Sequence, residues 1–83
     1  MRNHYEILEE IMGVLARKGL TEEKQALESE ISASSTGSEL CLRSGSELLR
    51  LQKTSERVHR VLGQLIREFI SYCHKNGLYP HSK

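Results

Sequence analysis

Aspartate is missing altogether from these 83 residues: all eleven acidic side chains are Glu. Tryptophan is absent as well, Pro and Phe occur once each, and Cys only twice. Each absence excludes something. Without Asp, a pair of carboxylates for acid–base chemistry must be Glu with Glu. The obvious pairs, Glu9–Glu10 and Glu22–Glu23, are chain neighbours that point roughly 100° apart on a helix. Two cysteines make no disulfide framework. No apolar run approaches the ~18 residues needed to span a bilayer. The opening MRNHYEILEE has no uninterrupted apolar core, so no secretory signal is expected and a cytoplasmic location is.

Other chemistries are missing in the same way. The glycines are isolated and form no phosphate-cradling loop, and no serine sits in a G-x-S-x-G elbow. His4, His59, His74 and His81 form no H-x-x-x-H pattern, and Cys41 and Cys73 no C-x-x-C. Both cysteines fall on expected apolar faces and read as small buried hydrophobes; a metal site assembled in space from them and a histidine is the alternative. We therefore expect no catalytic residue, no cofactor and no metal.

What is present is helix. Over 55–76, Val58, Leu62, Leu65, Phe69 and Tyr72 recur at spacings of four, three, four and three, one side of an α-helix. Val61, Ile66, Ile70 and Cys73 flank that stripe and widen it to about half the circumference. Thr54 or Ser55 can cap its start. Asn76-Gly77-Leu78 reads as its stop, with Leu78 folding back toward Cys73, and Tyr79-Pro80 forbids resumption. A first helix is expected over 3–18. Asn3 and Glu6 form a capping box, Tyr5, Leu8, Met12 and Leu15 make one stripe, and Ile7, Ile11 and Val14 a second beside it. Gly19-Leu20 repeats the Gly77-Leu78 stop. Thr21 is the expected cap of a thinly apolar helix over 22–32, with Glu22 and Glu23 in its first turn. The short connection makes these two an antiparallel hairpin.

After a weak Ser32–Ser35 stretch comes an internal echo, Thr36-Gly37-Ser38-Glu39-Leu40 and Ser44-Gly45-Ser46-Glu47-Leu48, each a capping pattern. A third helix can begin at either. The earlier start, giving 37–52, avoids an overlong loop and makes Gly45 a site of close helix–helix approach. Gln52-Lys53-Thr54 is the expected break before the last helix, although one continuous helix is compatible with the pattern. The expectation is a single all-α domain over 1–83, a bundle of about four helices near the lower size for an unaided core. The breadth of its apolar stripes suggests more apolar surface than the bundle can hide, and hence a homodimer through the last or first helix.

The net charge of +1 conceals a polarity. Residues 1–42 hold four Lys or Arg against eight Glu, and residues 43–83 hold eight against three. Pairing between an acidic hairpin and basic helices is the favoured reading. Arg50, Lys53, Arg57 and Arg60, with Arg43, Arg67 and His59 nearby, are the candidate nucleic-acid face, at spacings that equally suit a solvated bundle surface.

The hairpin, the Ser-rich link, the segment Thr36-Gly37-Ser38-Glu39-Leu40 and the long last helix resemble small helical immunity proteins encoded beside bacterial polymorphic or contact-dependent inhibition toxins. The resemblance implies a non-enzymatic protein that binds and neutralises a toxin domain, often a nuclease. It also implies that Glu22, Glu23, Glu28 and Glu30 meet a basic toxin surface. Such proteins are commonly acidic throughout, whereas here only the N-terminal half is.

Overall fold

The computed structural model describes residues 2–81, and four helices account for about four-fifths of them: α1 (His4–Arg17), α2 (Thr21–Ala33), α3 (Gly37–Thr54) and α4 (Glu56–Lys75). Their boundaries follow local chemistry. Asn3 accepts from the Glu6 N–H at 3.0 Å while Glu6 accepts from the Asn3 N–H at 3.0 Å, a complete capping box. Gly19 and Gly77 adopt φ of 70° and 76°, a conformation open to glycine without strain. Each closes its helix the same way. Leu20 N–H donates to Leu15 O and Leu78 N–H to Cys73 O, both at 2.9 Å, the six-to-one bond of a Schellman motif.

The tight stop of α1 displaces the cap expected at Thr21. Leu20 has given its N–H to α1, and its own carbonyl already accepts from Lys24 N–H at 3.0 Å. Leu20 is therefore the N-cap of α2, with no side-chain hydrogen bond, and Thr21 is the first helical residue. For α3 the earlier start holds: Thr36 Oγ1 accepts from Glu39 N–H at 3.1 Å. The Glu39 carboxylate reaches one residue past the cap to accept from Ser35 N–H. Helices α3 and α4 are distinct, and the break falls at Ser55 alone, beyond the expected Gln52–Thr54. With φ −129° and ψ 110° it ends α3 and caps α4, its Oγ accepting from Val58 N–H at 3.3 Å.

Short connections make successive helices antiparallel, and each packs on the next, with α4 returning to pack on α1. The ring measures 31 × 24 × 23 Å. The deepest line of α4 is Val58, Leu62, Ile66, Phe69 and Cys73, all fully buried, while Leu65 and Tyr72 lie half-buried on its shoulder. The expected stripe was thus rotated by part of a turn. Helix α4 packs more extensively on α3 than on α1, which draws its buried axis toward the Ile66–Cys73 side. Helix α1 shows the same shift: Ile7, Leu8, Ile11 and Leu15 are buried, Met12 and Val14 half-buried, and Tyr5 is 59% exposed. Helix α2 contributes one buried side chain, Leu27.

The expected surplus of apolar surface is confined mostly to half-buried flanks, Leu49, Val61, Leu65, Ile70 and Tyr72 among them. Among the described residues only Tyr5, Leu42 and Tyr79 are large exposed hydrophobics. With two neighbours apiece, the helices cover part of both shoulders of each stripe internally.

Candidate interaction surfaces

The four carboxylates singled out on α2 do not form one patch. At 100° per residue Glu23 and Glu30 share the side nearer α3, whereas Glu22 and Glu28 lie on other sides of the helix. Glu30 is half-buried and receives Arg43 of α3 at 3.3 Å, and Glu28 faces Lys24 one turn back at 4.0 Å. Glu22 and Glu23 have no cationic partner among the described residues, and on α1 neither has Glu9. Both Glu22 and Glu23 stand in the first turn of α2, where the helix dipole also favours them.

The basic residues are more thoroughly engaged. Arg50 and Lys53 lie on α3 and Arg57 and Arg60 on α4, so the Ser55 break interrupts their three-and-four spacing. Arg50 pairs with Glu47 and Arg60 with Glu56 at 3.4 Å, and Arg57 donates to the Lys18 carbonyl at 2.7 Å. Charge pairing between the two halves of the chain is correspondingly sparse. Glu30–Arg43 is the pair of the expected sense. Arg2 runs the opposite way, from the N-terminus to Glu68 of α4 at 2.6 Å while also holding Glu10. That contact lowers the Glu68 carboxyl pKa, mainly through the hydrogen bond from Arg2.

At the end of the bundle where α1 and α3 begin and α4 finishes, His4 stacks on Tyr5 and Tyr72, with ring centroids 4.1 and 5.2 Å away. Neither ring nitrogen has a hydrogen-bond partner, and burial lowers the His4 pKa below its ordinary value of 6.5. Cys41 and Cys73 meet in the core as free thiols, Cys73 Sγ donating to Cys41 O at 3.8 Å. Burial raises both, pushing Cys73 up to about 12, so neither is a ready nucleophile. No group of three His, Cys or Glu among the described residues is disposed to hold a metal.

Sequence reasoning missed the surface made by the end of the chain. Residues 78–81 fold back across α3. Pro80 is buried over Gly45, where a Cβ would stand only 2.5 Å from Pro80 Cγ and 3.3 Å from Ile70 Cδ1. Ser46 Oγ donates to the His81 carbonyl, and Tyr79 stacks on His74 at 4.9 Å between ring centroids. Gly45 does mark a close approach, but chiefly of this extended segment and only secondarily of α4. The signal was the coincidence of a mid-helix glycine with the chain's single proline, which no periodicity connects. Compared with protein-family models, curated proteins and solved structures, the chain matches none of them.

Proposed function

We propose that this chain is a small non-enzymatic binding protein of the cytoplasm, of the immunity kind, which neutralises a bacterial toxin by covering a basic surface on it. The observation that carries this reading is the set of carboxylates without cationic partners on the α1–α2 hairpin, Glu9, Glu22 and Glu23. They stand beside Arg and Lys side chains that are largely occupied on α3 and α4. Glu22 and Glu23 face different sides of α2 and Glu9 stands on α1, so together they act as an uncancelled negative field that steers a basic partner, not as a single patch. A nuclease domain, built to hold phosphates, presents such a partner surface. Among the described residues no helix is long and apolar enough to cross a membrane.

The test is to isolate the partner by affinity capture and measure binding by calorimetry. A basic domain bound in one-to-one ratio, whose toxicity to growing cells is relieved by this chain, supports the reading. Reversing Glu9, Glu22 and Glu23 to Lys together should weaken that complex at least tenfold, about 1.4 kcal/mol. Capture of nucleic acid instead, with affinity falling steeply as salt rises, would replace this reading with a regulatory nucleic-acid one.

A further inference from the structure

Beyond the Pro80 notch the cleft between α3 and α4 runs on, open to solvent, with a volume of about 360 Å³. Leu49, Gly63, Ile66, Arg67, Ile70 and His74 line it. Two of these belong to both stretches: Ile70 also abuts Gly45, and His74 also stacks on Tyr79. The open stretch therefore continues an interface that this fold already makes with an extended segment. That segment buries a compact apolar residue, Pro80, and is tied through its backbone at His81.

Two further features have no explanation within the bundle. Gly63 lies in mid-helix, and a Cβ there would meet nothing nearer than Gln52 Nε2 at 3.8 Å. The fold has room for a side chain at this position and forgoes the helix propensity it would bring. Arg67, at the rim, has no carboxylate partner among the described residues, as is also true of Arg17 and of Arg57, which is held by the Lys18 carbonyl, whereas Arg2, Arg43, Arg50 and Arg60 are paired. An apolar floor, a missing side chain and an uncompensated cation thus occur together.

We propose that this cleft docks an extended segment of a partner protein, with a bulky apolar side chain entering between Leu49, Ile66 and Ile70 and a neighbouring carboxylate meeting Arg67. Charge complementarity selects the acidic class of segment. The extended form follows from the segment already seated next door, and adjacent side chains divide between a pocket and a rim. This surface is distinct from the acidic hairpin and does not rest on its role.

The experiment is an amide NMR titration of the full chain with a short capped peptide in which glutamates flank a leucine–tryptophan pair. A twin peptide with lysines for the glutamates is the comparison. Saturable shifts of the amides at Leu49, Gly63, Arg67 and Ile70 with the acidic peptide, and none with its twin, are expected. Arg67→Glu should weaken the acidic peptide about tenfold and admit the basic one. Gly63→Leu should abolish binding by filling the cleft, its melting temperature showing that the bundle is intact. Equal shifts with both peptides, shifts confined to other surfaces, or affinity unchanged in Arg67→Glu would overturn the proposal. So would shifts at these amides that depend on protein concentration without peptide, since they would assign the cleft to a second copy of the chain.

Discussion

At Gly45 two local preferences oppose each other, and the outcome is measurable. Alanine in mid-helix is favoured over glycine by about 1 kcal/mol, yet its Cβ would lie 2.5–2.7 Å from Pro80. Gly45→Ala should therefore destabilise the protein by about 1–3 kcal/mol, the usual cost of overpacking. In a Pro80→Gly background the penalty should shrink by more than half, because both clashing atoms, Cγ and Cβ, are gone. Urea unfolding of the four species forms a double-mutant cycle, and a coupling near zero would show that the two residues act independently. His4 offers a second test at this scale. Its folded-state pKa lies below 6.5, so from 6.5 down to that lower value the unfolded chain binds more protons than the native one. Stability should be fully present above 6.5 and decline as pH falls through this window, by at most about 1.4 kcal/mol per pH unit. His4→Phe should flatten that decline. The loss from Glu68, whose pKa is lowered from 4.5, belongs to more acidic conditions and should persist in the variant.

Among the elements, α2 is the one most weakly secured. Leu27 is its sole buried residue, and its start has no side-chain cap. Leu27→Ala should cost about 2–5 kcal/mol, and hydrogen exchange should show the α2 amides losing protection before those of α4. The elements were also where the sequence was most legible. Capping boxes and Gly-Leu stops are local: they bring together groups within a few residues, so reading them needs no knowledge of tertiary packing. Asn3, Gly19 and Gly77 could be placed on that ground, whereas Thr36 was preferred to Ser44 only on loop length and Ser55 shared its role with Thr54. Thr21 could not, because its capping role was taken by Leu20, which the preceding helix had already turned into position. The rotation of the α4 stripe from Leu65–Tyr72 toward Ile66–Cys73 was equally hidden. A stripe about half a turn wide does not say which of its edges faces the larger neighbour. The candidate site was less legible still. Pairing of Arg50 with Glu47 and of Arg60 with Glu56 could be read from spacing, but Arg43 with Glu30 and Pro80 over Gly45 join residues on separate segments.

For the whole molecule, the closed ring bears on association. Among the described residues three large hydrophobics are exposed and well separated in sequence, an arrangement that leaves no single large patch for a second subunit to cover. Sedimentation at micromolar concentration should give a single 9.5 kDa species, and a stable dimer would show that half-buried shoulders such as Leu65 or Val61 have a further partner. Ring closure also has a temporal side. Because α4 covers flanks of both α1 and α3, a nascent chain carries Ile7, Ile11 and Leu48 incompletely shielded while the 20 residues of α4 are being made and released. At about 5–20 residues per second that interval lasts a second or more. Until α4 docks, three helices stand with an unsealed side, the species most exposed to chaperones or to misassociation with neighbouring chains.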